Sequence, residues 1–160
     1  MAYNVGKQFE ERFSKNWKES FPNSFVYRLH DQLSGYKVVS RNPCDFICFE
    51  HGRLHLIECK SHKGASMPFT NLRQYDEMIK YAGIENVFIG VVLWLMEKDV
   101  VIYIPLQTIT QMMQDGKKSV GMQSIKDGYN ILEIPSKKLR TFMQSDYSVL
   151  SDFCEKKGLW

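Results

Sequence analysis

The sequence predicts one compact α/β or α+β domain, and three observations carry that prediction. The 160 residues, 44% of them hydrophobic, suffice to enclose a single core. Apolar residues recur at helical spacing near the start of the chain and in strand-like runs through its middle. No repeat, low-complexity stretch or linker interrupts the chain, so residues 1–160 read as a single domain.

The elements follow in order. From Gly6 to Ser20, Phe9, Phe13 and Trp17 recur every four residues along one helical face, and Pro22 with Asn23 ends the run. Ser24–Leu29 reads as a strand, followed by a long polar loop from His30 to Asn42. Cys44–Phe49 and Leu54–Lys60 are strand-like runs joined by Glu50-His51-Gly52-Arg53, a connection short enough for a hairpin. A loop holding Lys63, Gly64, Ser66 and Pro68 comes next. Asn71–Ala82 then reads as a helix, with Leu72, Tyr75, Met78, Ile79 and Ala82 as its buried stripe and Gly83 as its stop. Asn86–Leu95 and Val100–Ile104 are β-branched enough to be central strands, with Glu97-Lys98-Asp99 as the turn. Leu106–Gln114 reads as a helix after Pro105, Tyr129–Ile134 as a strand, and the rest as weakly marked helix.

Composition narrows the function classes. The longest apolar run, Val87–Met96, is about half of what a bilayer crossing needs, and no signal-like segment opens the chain. Cys44, Cys48, Cys59 and Cys154 form no CxxC pair, which argues against a zinc finger and against a disulfide framework. Reduced thiols and no membrane partner fit a cytoplasmic protein. A net charge of +3 permits contact with a polyanion without announcing it.

Hairpin geometry gives the sharper inference. If Phe49 pairs with Leu54, every antiparallel pair has residue numbers summing to 103, and Asp45 lies opposite Glu58. Opposed residues share a sheet face, as do residues two apart, so Asp45, Glu58 and Lys60 all project to one side. Carboxylates about 5 Å apart repel unless a cation lies between them. An ordinary Glu58–Lys60 ion pair at a strand end is the plainer alternative, and a one-residue slip would undo the convergence. On the first helix, Glu10 sits about 60° from the apolar direction and can reach the rim of the packed face, whereas Glu11, about 160° away, faces solvent; two ordinary glutamates on a surface helix are the plainer alternative. His51, His55 and His62 crowd the same region without forming a metal triad: one lies in the turn, one faces away from Glu58, and one follows the strand end.

At these residues the chain resembles the PD-(D/E)XK nuclease superfamily. Pro43-Cys44-Asp45 stands for the first element, thirteen residues before Glu58-Cys59-Lys60, and Gln74 follows at the start of a helix. The stretch from Tyr27 to Tyr75, with RLHDQLSGYK, RNPCDFICFE, LIECKSHKGASMPFTNL and RQYDEM, is similar to RecU-type Holliday-junction resolvases, as is Gly6-Lys7-Gln8-Phe9-Glu10. The family's long stalk-forming insertion has no counterpart, since only His30–Pro43 separates the first strand from the Asp motif.

The resemblance implies a restriction-endonuclease-like core, a central mixed β-sheet flanked by helices, and a single nuclease domain. It implies Mg²⁺, with Mn²⁺ substituting, held by Asp45, Glu58, the Cys59 main-chain carbonyl and Glu10. Lys60 would position water or stabilise developing charge, and Gln74 would orient water or phosphate, with a solvent-facing helix glutamine as the alternative. Arg28, Lys37, Arg41, Lys63 and Arg73 are the implied DNA contacts, each of which could equally be a solvated charge. The implied activity is endonucleolytic hydrolysis of four-way junctions in recombination and repair, by a homodimer, in a bacterial cell or phage-infected host. A restriction- or repair-type nuclease on duplex or flapped DNA, and an inactive DNA-binding module, are the alternatives.

Overall fold

A computed structural model describes residues 4–30, 32–34, 37–40 and 42–160, the two short stretches by their backbone alone. Helix α1 (Val5–Ser20) opens on Asn4, whose side chain accepts the Lys7 N–H at 3.1 Å, and buries Phe9, Phe13 and Trp17. Strand β1 (Phe25–Arg28) follows Pro22. The segment read as a polar loop contains a small hairpin, β2 (Gln32–Ser34) with β3 (Lys37–Ser40). Leu33, Val38 and Val39 are β-prone, a signal that the glycine and the charges of this stretch outweighed in the reading. Arg41 lies outside the described residues.

Strands β4 (Phe46–Glu50) and β5 (Arg53–His62) form the expected hairpin in the expected register, with Phe49 opposite Leu54 and Phe46 opposite Ile57. The turn needs positive φ at both central residues, and His51 at 45° and Gly52 at 82° supply it. After β6 (Ser66–Pro68) the predicted Asn71–Ala82 helix is not continuous. It is a 3₁₀ turn (Phe69–Asn71), one α turn, α2 (Tyr75–Met78), and a second 3₁₀ turn (Ile79–Tyr81). Phe69, Leu72, Tyr75 and Met78 pack inward at a strict three-residue interval, which an α-helix would rotate off one face by about 60° per step. Ile79 and Ala82, expected in the buried stripe, are exposed.

Strands β7 (Val87–Leu95) and β8 (Val100–Pro105) and helix α3 (Leu106–Gln114) lie as expected. Beyond them β9 (Ser119–Gly121) pairs with β6, α4 (Met122–Lys126) follows, and β10 is only Leu132–Ile134. The end of the chain is not all helix: β11 (Ser136–Lys138) and β12 (Met143–Ser145) pair before α5 (Ser148–Lys156).

The central sheet is six-stranded, in the order β1-β4-β5-β7-β8-β10. It is mixed, because β5 and β7 run parallel while the other neighbours are antiparallel. One face packs Phe46, Ile57 and Val92 against Phe13 and Trp17 of α1 and Leu150 of α5. The other packs Leu56, Ile89 and Leu93 against Phe69, Met78 and Ile109. No helix of the described residues is long and apolar enough to cross a membrane. For the site, the decisive feature is strand length: β5 pairs with β4 only as far as Ile57, while Glu58–His62 continue alongside β7. That difference leaves a notch in the sheet.

Candidate active site

The notch is lined by the residues that the hairpin register singles out. Glu58 and Lys60 project from β5 on the same face as Leu56, and Asp45 sits in a bend just before β4. Asp45 is not a regular ladder partner of Glu58, because its peptide is twisted between its neighbours. Its N–H donates to the Ile57 carbonyl at 3.1 Å, while its own carbonyl accepts the Leu29 N–H at 2.8 Å. The carboxylate turns toward β5, where Oδ2 accepts the Cys59 N–H at 2.9 Å. A side-chain oxygen thus takes the donor that β4 leaves unpaired by ending early. Along a strand, a residue's N–H and C=O point the same way, so the Cys59 carbonyl also faces the notch.

Glu58 is 1% exposed, and neither carboxylate oxygen has a hydrogen bond among the described residues. Its charged neighbour is Lys60, whose Nζ lies 2.8 Å from Oε1 as an ion pair without hydrogen-bond geometry. Burial, with the negative charge of Asp45 adding to it, pushes the Glu58 carboxyl up to about 7. Burial also raises Asp45, against the pull of the Cys59 N–H and of Lys60. Glu10 reaches the same group from α1: burial and the Asp45 charge raise its carboxyl. Its side chain is half-buried, as the helical angle anticipates, whereas Glu11 is exposed.

The expected ligand set is therefore only partly assembled. Among the described residues no group of three or more His, Cys, Asp or Glu side chains is arranged to hold a metal ion. Glu10 accounts for part of this, because its carboxylate is engaged by the Arg28 guanidinium of β1. What fits a hard divalent cation is the remainder. A buried carboxylate beside Lys60, a second carboxylate next to it and a main-chain carbonyl share one notch.

The other candidates disperse. Gln74 caps the start of α2, half-buried, with an Oε1 that is buried and unbonded, and no described hydrogen bond ties it to the carboxylates. Lys63 and Arg73 are exposed. Lys37 lies on β3, and Arg41 falls outside the described residues. His51 occupies the turn, His55 faces α1 against Trp17, and His62 ends β5.

One buried polar cluster escaped the sequence reading. Glu50, also 1% exposed, accepts from Arg53 Nε at 2.9 Å, from His55 at 3.0 Å and from the Ser151 hydroxyl. Burial alone would raise its carboxyl, but these bonds and one to His51 bring it well below the usual carboxylate range. Burial lowers His55, against the pull of the Glu50 carboxylate on the same ring. The available signal was face parity: Glu50 and His55 fall on the α1 side with Cys48.

No family model matches the chain, and no curated protein matches it. Among solved structures it is similar to Hjc of Archaeoglobus fulgidus, a Holliday junction resolvase from an archaeal hyperthermophile. That similarity has a TM-score of 0.48 at 16% identity, over 78% of this chain and 94% of the other.

Proposed function

We propose that the protein is a metal-dependent DNA endonuclease whose reaction centre is the notch at Asp45, Glu58 and Lys60. The observation that carries this reading is Glu58, buried beside Asp45, with Lys60 Nζ 2.8 Å from its Oε1. Lys60 balances only one of the two neighbouring carboxylates, and a hard cation is a partner that would offset the remaining charge. Asp45, Glu58 and the Cys59 carbonyl would hold Mg²⁺ or Mn²⁺, with Glu10 joining when Arg28 releases it. The ion, when bound, supplies Lewis-acid polarisation of the scissile phosphate and acidifies a water.

This chain's own residues supply the rest. The Cys59 N–H fixes the Asp45 carboxylate, so the ligand is oriented before substrate arrives. Lys60 is a quarter exposed at the mouth of the notch, where its ammonium can hold an attacking water or stabilise the charge that builds on the phosphate. Arg28 exchanges the Glu10 carboxylate for a DNA phosphate, with Lys63 and Arg73 as further backbone contacts and Gln74 as an orienting group.

The finer reading is that of a RecU-type resolvase: branched DNA as substrate, and a homodimer that cuts two strands symmetrically. It rests on the sequence resemblance around Asp45 and Glu58. A labelled four-way junction and a linear duplex of the same sequence, incubated with Mg²⁺, test it. Preferential, paired incision of the junction is expected, and equal cutting of both substrates rejects the resolvase reading.

A further inference from the structure

The sheet face that carries Glu58 is covered unequally. Over β5, β7 and β8 the 3₁₀ turns, α2 and α3 bury Leu56, Ile89 and Leu93. Over β1 and β4 the same face is open, and large aromatic side chains stand on it: Phe25 is 53% exposed, Tyr27 54% and Phe49 46%. Phe25 pairs with Phe49 across the strands, and Tyr27 with Ile47. The Phe25 and Tyr27 rings lie parallel, 6° between planes, with centroids 6.2 Å apart.

Register places this shelf against the notch. Ile47 pairs with Leu56, so Glu58 lies two residues further along β5 from the Tyr27–Ile47 rung, and Asp45 two residues before Ile47 in the bend that precedes β4. Each rung advances about 6.5–7 Å along the strands. A chain lying in the notch therefore meets Tyr27 one rung away and Phe25 with Phe49 two rungs away, on one continuous surface. No charged side chain stands on those two rungs of β1 and β4, so a polyanion is not repelled there.

We propose that this shelf is a stacking platform for unpaired nucleotides adjoining the phosphodiester in the notch. The ring spacing is about twice the 3.4 Å base rise of a duplex strand. It matches bases pulled out of a stack, whose faces are free, and not bases held inside a duplex. Stacking on exposed rings is tolerant of sequence and strong enough to position a strand. The inference deepens the nuclease reading and rests on it for the chemistry, because it makes the substrate a DNA with single-stranded or melted nucleotides beside the cut. A second copy of the chain is the competing occupant. It would take up the same surface that leads into the notch, and the rings' adjacency to the carboxylate rung favours the strand.

Anisotropy of fluorescein-labelled oligo-dT, without divalent ion, tests the platform on wild type, on the Phe25→Leu/Tyr27→Leu double variant and on Tyr27→Phe. The leucine pair keeps apolar volume on the shelf and removes the π faces. Expected is a loss of affinity of roughly tenfold or more in the double variant. Tyr27→Phe should stay within about twofold, since only the hydroxyl is lost, with thermal unfolding unchanged in both. Wild-type affinity in a folded double variant overturns the proposal. So does a wild-type dimer in sedimentation that the double variant converts to monomer while oligo-dT affinity is unchanged. The two readings fail separately. Shelf-dependent binding without Mg²⁺-dependent cleavage of a four-way junction, a flapped duplex or a linear duplex sinks the nuclease reading, whereas cleavage with shelf-independent binding sinks the platform alone.

Discussion

Glu58 holds its proton more tightly in the fold than an ordinary glutamate, with its carboxyl pushed up to about 7 by burial and by Asp45. The native state then binds more protons than the unfolded chain between pH ~4.5 and ~7, so stability falls as pH rises through that window. The loss reaches about 3 kcal/mol at completion. Thermal melts without divalent ion should show this decline, and Glu58→Gln should flatten it and raise the melting temperature at pH 8. Mg²⁺ at pH 8 should raise the wild-type melting temperature and leave Glu58→Gln unmoved. Lys60→Ala should lower the cleavage rate about 10²- to 10³-fold in a folded protein, measured in single-turnover assays. That Asp45, Glu58 and Lys60 come close together was legible in the sequence because hairpin pairing is local and arithmetic, although Asp45 sits in a bend and not directly opposite Glu58. The Glu50 cluster was not, because Ser151 lies 101 residues away and nothing local announces it.

Among elements, the β4–β5 hairpin sets the site, and its turn sets the register. Gly52 sits at φ 82°, so Gly52→Val should cost about 1–3 kcal/mol through strain there. Denaturant unfolding measures that loss. At the sheet centre, Gly90 makes room for the Tyr103 ring: a Cβ there would stand 2.4 Å from it. Gly90→Ala should therefore destabilise by about 1–3 kcal/mol, by overpacking a fully buried ring. The long strands and α3 were readable because β-branched runs and a proline-started helix are strong local signals. Asn71–Ala82 reads as one continuous helix from the sequence because the three-residue interval of Leu72, Tyr75 and Met78 passes for an α-helical stripe over a short window. The short pairs β6–β9 and β11–β12 depend on partners brought together by the fold, beyond any local pattern.

For the whole molecule, the sheet's unequal strand lengths and unequal cover place Asp45, Glu58 and Lys60 beside an exposed aromatic shelf. Surface cavities of about 540 and 480 Å³ lie elsewhere, lined by residues of β11–β12 and of β9–α4. An open edge suits a polymer, which cannot enter a closed pocket. The Arg28–Glu10 pair joins α1 to β1 across this edge, so Arg28→Ala should weaken DNA binding and reduce its salt slope by about one. The most direct test of the central claim is Mg²⁺-dependent cleavage of branched and linear DNA by wild type and by Asp45→Asn. Wild type is expected to cleave with Mg²⁺ and to stop on chelation, while Asp45→Asn binds the same DNA without cutting it. Cleavage that survives in Asp45→Asn, or a folded wild type that binds DNA and cuts neither substrate with Mg²⁺ or Mn²⁺, would contradict the assignment of the notch as a nuclease centre.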